Sequence, residues 1–118
     1  MDKQLTKNFR LSEFGDVPKK YIDNITEVAV ELQKVRDILC NPIIITSGYR
    51  SPEYNKAIGG ARHSQHLFGK AADSKMLGVD SKEYLAYLIR YTDFNGFGIS
   101  DSYIHSDTRD FGFAVWVY

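Results

Sequence analysis

The sequence is poor in features that mark several classes of protein. Cys40 is its only cysteine, so an internal disulfide cannot form and a structural zinc site built on several thiolates is excluded. No apolar run approaches the roughly 18 residues of a membrane span. Fifteen basic and fifteen acidic side chains cancel, so the net charge does not indicate binding to nucleic acid or to an anionic membrane.

The N-terminal residues Met1-Asp2-Lys3-Gln4 lack the apolar segment of a signal peptide, so we expect synthesis in the cytoplasm without an export signal. Apolar residues make up 43% and charged residues 25% of the 118 residues, which is ordinary for a globular protein. A chain of this length can bury one core without disulfides. We therefore predict a single domain over residues 1–118, with the Cys40 thiol buried among apolar neighbours.

Hydrophobic periodicity predicts helices packed on a small sheet. An amphipathic helix of about 20 residues is expected between Pro18 and Asn41, because apolar residues recur there at three- and four-residue steps. Asp80 is the expected N-cap of a second helix. Strands are predicted around Asp73 and at Gly96–Ile99, Tyr103–Asp107 and Phe113–Val117, and the β-branched run Ile43–Thr46 is predicted to be a buried strand. The predicted fold class is therefore α+β, with a small, mainly antiparallel sheet flanked by helices.

Three side chains offer the ligand atoms of a metal site. His66 and Asp73 are seven residues apart, and Gly69 between them would let the chain bend. His105 lies on another predicted strand. Two imidazoles and one carboxylate leave a fourth position open, which is typical of a catalytic zinc and not of a structural one. Their spacing alone does not decide between such a site and three structural residues.

Three motifs contain these residues in a fixed order. They are Ser47-Gly48-Tyr49-Arg50-Ser51, Ser64-Gln65-His66-x-x-Gly69-x-Ala71-Ala72-Asp73 and His105-x-Asp107. Through these motifs the chain resembles the zinc D-Ala-D-Ala peptidase family, particularly its short phage and bacterial members. The similarity extends from Phe9 almost to the C-terminus.

The resemblance implies a hedgehog/D-Ala-D-Ala-peptidase-like fold, with His66, Asp73 and His105 as the zinc ligands. The zinc of that family activates a water molecule that attacks a peptide bond in bacterial cell-wall stem peptides. Bound zinc suits this chemistry because it lowers the pKa of the water toward about 7 and polarises the scissile carbonyl.

Arg50, Ser64 and Gln65 are the predicted substrate-binding residues. The arginine of the Ser-Gly-Tyr-Arg stretch contacts substrate near the metal in the family that the chain resembles. A guanidinium can hold a terminal carboxylate with two hydrogen bonds, as a carboxypeptidase requires. The alternative is that Arg50 fixes the adjacent loop through backbone carbonyls. Ser64 and Gln65 flank His66 and either orient substrate or tie down the loop.

The general base is where the sequence departs from the family pattern. Many members place Glu or Asp three residues before the last histidine ligand, and Ser102 occupies that position here. Asp101 is the nearest replacement, and strand alternation would place it on the face of His105. Asp107 is the second candidate base; its alternative role is to accept the free N–H of His105. A third alternative is a site that works without a strong base or does not catalyse.

The leading hypothesis is a zinc peptidase that cleaves peptidoglycan stem peptides. The bond is either D-Ala-D-Ala, as for a carboxypeptidase, or of the L-Ala–D-Glu type, as for the endopeptidase of a phage endolysin. An endolysin without a signal sequence would depend on a holin for release to the cell wall. The alternative is a catalytically silent zinc-binding domain that recognises a cell-wall peptide or a protein. The hedgehog-type signalling domains, which resemble this fold, show that the metal site can persist without the activity. No nucleic-acid or membrane partner is expected, and the sequence indicates no oligomeric state.

Four other residues are predicted to lie near the site or in the core. His63 is expected to be a loop residue or a contact at the rim of the site. Trp116, Phe111 and Phe113 are expected to complete the core, with the alternative that one of them lines the cleft.

Overall fold

The computed structural model describes residues 2–118, which leaves Met1 outside the description, and confirms the predicted α+β class. The helices of this region are α1 (Ile22–Leu39), α2 (Pro52–Ala57) and α3 (Ser81–Tyr91). Its strands are β1 (Ile43–Ser47), β2 (Ala71–Met76), β3 (Gly96–Ile99), β4 (Ile104–Asp107) and β5 (Ala114–Val117). Short 3₁₀ turns cover Leu11–Phe14, Lys19–Tyr21 and Gln65–Phe68.

The strands form one sheet in the order β1-β2-β4-β3-β5. The first three pairings are antiparallel and the last, between β3 and β5, is parallel, so the predicted mainly antiparallel sheet is confirmed. The register places Asp73 opposite His105, and His105 opposite Gly98. Because residues paired across strands share a face of the sheet, these three positions lie side by side.

The hydrophobic core occupies the other face of the sheet, against α1 and α3. Ala72, Phe97 and Ile104 face this core, and each is the chain neighbour of a residue on the polar face. The inner side of α1 adds a stripe of fully buried residues: Ile25, Val28, Ala29, Leu32 and Val35. Burying each large apolar side chain contributes about 1.5–3 kcal/mol, so packing on one face stabilises the sheet. The opposite face is left for polar side chains.

Local interactions mark the start of α3 and the end of α1. Asp80 is the N-cap of α3, as predicted, and its carboxylate accepts a hydrogen bond from the backbone N–H of Lys82. Cys40 ends α1 in the left-handed conformation, with φ of 57°. Within residues 2–118 each helix lacks the combination of length and apolar character that crossing a lipid bilayer requires.

The structure corrects three predictions about burial. The Cys40 thiol is exposed, because the residue lies past the last turn of α1 and outside the packed stripe. The strand at positions 43–46 is an edge strand that is buried on one face only, so Ile43 lies in the core whereas Ile44 points away from it and is exposed. Phe111 and Phe113 are also exposed, because they lead into β5, which has a neighbouring strand on one side only.

Candidate metal centre

Three buried side chains from three elements converge on the polar face of the sheet. His66 comes from the 3₁₀ turn Gln65–Phe68, Asp73 from β2 and His105 from β4. The Nδ1 atom of His105 lies 3.0 Å from Oδ1 of Asp73. The Nε2 atom of His66 lies 3.2 Å from that same oxygen and 3.2 Å from Nδ1 of His105. The structure therefore brings together one ligand atom from each residue.

The backbone explains how residues seven positions apart reach one point. Gly69 ends the 3₁₀ turn in the left-handed conformation, with φ of 67°, and the chain then enters β2. A β-carbon at Gly69 would lie 3.0 Å from Cβ of Tyr21, so the position also lacks room for a side chain. The third ligand arrives through strand pairing, because Asp73 and His105 are register partners.

Hydrogen bonds on the far sides of the imidazoles fix which nitrogen faces the site. Nδ1 of His66 lies 2.6 Å from the carbonyl oxygen of Gly48, so Nδ1 donates and Nε2 presents its lone pair. Nε2 of His105 lies 2.7 Å from Oδ2 of Asp107, so in this ring Nε2 donates and Nδ1 presents its lone pair. Two nitrogen lone pairs and a carboxylate oxygen consequently face one another.

This donor set fits a divalent cation. Three acceptor atoms 3.0–3.2 Å apart repel one another unless a positive charge lies among them. Zinc binds imidazole nitrogen and carboxylate oxygen at about 2.0–2.2 Å, which places tetrahedral ligands roughly 3.3–3.6 Å apart. The observed separations are close to these values, so the three residues fit zinc with one position left open.

Asp73 is oriented by a charged partner as well as by its strand. Its Oδ2 accepts a hydrogen bond of 3.1 Å from the guanidinium of Arg50, whose Nε donates to Oγ of Ser47 at 3.2 Å. Burial acts to raise the pKa of the Asp73 carboxyl, but in the metal-free site hydrogen bonds and charges from His105 and His66, when these rings are protonated, outweigh burial and hold that pKa well below its usual value. Asp73 is therefore an ionised ligand at neutral pH.

Asp107 connects His105 to Arg109 in the layer behind the ligands. Its Oδ2 accepts from Nε2 of His105 and from Nη2 of Arg109, both at 2.7 Å, and its Oδ1 accepts from Nε of Arg109 at 2.8 Å. Burial acts to raise the pKa of Asp107, but the bonds from Arg109 and His105 lower it to about 2. Gly96 makes this pair fit, because a β-carbon there would overlap the carboxylate.

A cleft of about 750 Å³ opens over the two histidines. Its lining includes the loop 58–64, which precedes His66, and four aromatic residues: Tyr103, Phe111, Trp116 and Tyr118. The ring centroids of Trp116 and His105 are 5.2 Å apart, and the Arg109 guanidinium lies 5.0 Å from the Trp116 centroid. The open side of the ligand set therefore faces a space large enough for several peptide atoms.

Comparison with known families agrees with this geometry. A family model described as Peptidase M15 matches residues 4–107, which contain all three ligand residues. The chain belongs to the peptidase M15 family. Membership confirms the family resemblance of the motifs and indicates a zinc-dependent metallopeptidase, with His66, Asp73 and His105 as the group that could hold the metal. No match was found among curated proteins.

Asp101, the first predicted base of this M15 peptidase, lies outside the ligand cluster. It forms a bend with Ser102 before β4 begins, so strand alternation does not place it beside His105. It lines a separate cavity of about 60 Å³, whose wall also contains Ser74 and Tyr84. Its catalytic role stays a prediction.

Asp107, the second predicted base, is buried with both carboxylate oxygens occupied. This is the arrangement expected of a residue that holds the His105 tautomer. Within residues 2–118, neither Asp101 nor Asp107 contributes to the lining of the large cleft. A proton transfer through Asp107 would therefore pass through His105.

Arg50, Ser64 and Gln65, the predicted substrate-binding residues, all line the cleft. Two of them also support His66. Oγ of Ser64 accepts from the backbone N–H of His66 at 3.2 Å, and the backbone N–H of Arg50 donates to the His66 carbonyl at 3.1 Å. His63 lines the same cleft and is exposed, as a rim contact would be. Contact of these residues with substrate stays a prediction.

The sequence-based predictions missed the role of the two glycines in β3. Gly98 lies between His105 and Trp116 in the register. A β-carbon there would lie 2.7 Å from Nε1 of Trp116 and 2.8 Å from the Tyr118 ring. The missing side chain lets the Trp116 ring pack against His105. The signal in the sequence is Gly96-x-Gly98 within a strand, which is unfavourable unless a neighbouring group fills the space.

We expect the metal-free protein to lose stability as the pH falls from about 4 to about 2. An Asp side chain has a pKa of about 3.9 in an unfolded chain, whereas the pKa of Asp107 in the fold is about 2. A carboxyl whose pKa is depressed by folding stabilises the protein above the unfolded value and loses this contribution as the pH falls through the folded value. The difference corresponds to roughly 2–3 kcal/mol.

Urea unfolding in the presence of a chelator, repeated across this pH range, would measure the loss. Asp73, whose pKa is also depressed, acts in the same direction. Asp107→Asn should therefore flatten the pH dependence without abolishing it. Parallel curves for the two proteins would contradict the assignment of the effect to Asp107.

Proposed function

We propose that this M15 peptidase hydrolyses a peptide bond in peptidoglycan stem peptides, with zinc held by His66, Asp73 and His105. The observation that carries the proposal is the convergence of three ligand atoms beneath an open cleft, with both imidazoles held from behind by Gly48 and Asp107. When bound there, zinc would lower the pKa of a water molecule and polarise the scissile carbonyl.

The chain's own residues prepare the site in two ways. The hydrogen bonds to Gly48 and Asp107 keep each imidazole in the tautomer whose lone pair faces the ligand cluster. Arg50 uses two of its N–H donors on Ser47 and Asp73, and a guanidinium has five. Because Arg50 also lines the cleft, its remaining donors are available to an oxygen atom of the substrate.

The test is a digest of a defined stem peptide with a free C-terminus, followed by mass spectrometry. Release of the terminal D-Ala would identify a carboxypeptidase, and cleavage after L-Ala would identify an endopeptidase. If Asp101 is the general base, Asp101→Ala lowers kcat by about 10²–10⁴-fold while the protein keeps its zinc. Unchanged kcat in Asp101→Ala would remove this residue from the mechanism. The absence of any cleavage by zinc-loaded protein would overturn the proposed activity.

The second candidate function is a zinc-binding domain that recognises a cell-wall peptide without cutting it. Two observations favour it: Ser102 stands where the family pattern has an acid, and both candidate bases lie outside the lining of the cleft within the described residues. This hypothesis predicts one equivalent of zinc and measurable peptide binding, but an intact peptide after prolonged incubation.

A further inference from the structure

We propose that the cleft takes a peptide with a free carboxylate, and that Arg62 is the residue that recognises this carboxylate. The inference rests on the proposed function, since it assigns the substrate class of the same cleft. It makes Arg62 a determinant of specificity, separate from the ligands and from Arg50.

The cleft is cationic although the chain as a whole is neutral. Its lining contains Arg50, Arg62 and Arg109, and, in the part of the chain that the structure describes, no Asp or Glu side chain. The formal net charge of the whole sequence is zero, and Asp73 and Asp107 behind the lining offset Arg50 and Arg109, so Arg62 carries the uncompensated positive charge of the lining. A cleft lined by one sign of charge concentrates ligands of the opposite sign.

Two of the three arginines already have carboxylate partners. Arg50 pairs with Asp73 at 3.1 Å, and Arg109 pairs with Asp107 at 2.7 Å. Arg62 is exposed, and within residues 2–118 it takes part in no ion pair. Its guanidinium is therefore the one in the cleft that has no carboxylate partner within these residues, so all of its donors are available to bind a ligand carboxylate with two parallel hydrogen bonds.

The loop that carries Arg62 is held in place from α2. The buried side chain of Asn55 donates from Nδ2 to the carbonyl of Ala61 at 2.9 Å, and the backbone carbonyl of Asn55 accepts from Gly60 at 2.8 Å. A β-carbon at Gly60 would overlap the Asn55 amide, so the loop packs directly on this side chain. On the other side, Ser64 donates its backbone N–H to Ala61 at 3.1 Å.

These contacts fix the backbone on both sides of Arg62, four residues before the ligand His66. A recognition residue on a fixed backbone loses less conformational entropy when it binds. The aromatic part of the lining offers apolar contact to the body of the peptide. An acidic peptide fits this combination, whereas a neutral peptide would leave Arg62 without a partner.

The test compares stem peptides in which each free carboxylate is converted to its amide in turn. For the wild-type protein, amidation of one of these carboxylates should raise KM by roughly tenfold with little change in kcat, because one charge-assisted contact is lost. In Arg62→Gln the acid and the amide should have equal KM values. Arg90→Gln removes the same charge from an exposed position of α3. This control variant should show the same difference in KM between the acid and the amide as the wild type.

A binding measurement separates this proposal from the proposed function. Trp116 is the only tryptophan of the chain and lines the cleft, so its fluorescence reports on peptide binding without cleavage. Preferential binding of the acid that disappears in Arg62→Gln supports the proposal even if no peptide is cut. Equal affinity of the wild type for acid and amide overturns it, as does discrimination by Arg62→Gln equal to that of the wild type, even if peptides are hydrolysed.

Discussion

Replacing His105 by alanine should empty the metal site and lower the rate of peptide hydrolysis by roughly 10³-fold or more. His105 contributes one of three ligand atoms, and its lone pair faces those of the other two at 3.0 and 3.2 Å. A site with two ligands binds zinc with much lower affinity than a site with three. One zinc–ligand bond is lost, and the fold already holds the remaining ligands in position. The expected readout is less than one tenth of an equivalent of zinc after dialysis.

The same variant should lose the stabilisation that zinc gives to the fold. A ligand that binds only the native state stabilises it by about 4 kcal/mol when present at 1,000 times its dissociation constant. Urea unfolding with and without zinc should show this difference in the wild type and not in His105→Ala. His63→Ala is the matched control for metal content, since it removes the exposed third histidine. One equivalent of tightly bound zinc in His105→Ala would contradict the assignment of the ligand.

Removing the Asp107 carboxylate should weaken both the fold and the metal site. Asp107→Ala leaves the buried His105 and the largely buried Arg109 without their shared acceptor. We expect the free energy of unfolding to fall by about 3–5 kcal/mol, as for other broken buried ion pairs. Zinc affinity should fall by about 10- to 100-fold, because His105 loses the hydrogen bond that sets its tautomer. Competition with a chromogenic chelator measures the affinity, and urea unfolding measures the stability.

Asp107→Asn and Asp110→Asn make this test specific. Asparagine keeps the shape of Asp107 and one acceptor oxygen. Asp107→Asn should therefore lower the free energy of unfolding by less than it lowers the free energy of zinc binding. Asp110 pairs with Lys70 at 2.7 Å, but its side chain is 83% exposed, so Asp110→Asn should change stability by less than about 1 kcal/mol. Full zinc affinity in Asp107→Asn combined with a large loss of kcat would assign Asp107 as a general base acting through His105.

Local patterns predicted the secondary structure well because the energies behind them are local. The spacing of Ile25, Val28 and Leu32 indicates a helix with one apolar side in any tertiary context. Asp80 caps α3 through a hydrogen bond to a residue two positions away. Burial was predicted less well at Cys40 and Ile44, because burial depends on which elements cover a residue.

The prediction for Asp101 shows how sensitive a site is to small structural differences. Alternation along a strand would have placed it beside His105, but β4 begins at Ile104 and the preceding residues form a bend. Because the backbone changes direction there, Asp101 lines a different cavity. Similarly, the contact of Trp116 with His105 requires β5 to lie parallel to β3 and Gly98 to leave space between them.

The sequence by itself determined the α+β class, the membership of the peptidase M15 family and the identity of the three residues that could hold a metal, because these follow from periodicity and motifs. Only the tertiary structure decided which nitrogen of each histidine faces the ligand cluster, and that Asp107 is linked to Arg109. It also left Arg62 as the unpaired arginine of the cleft within residues 2–118. The physical reason is that hydrogen bonds and ion pairs depend on distances of a few tenths of an ångström between residues far apart in the chain.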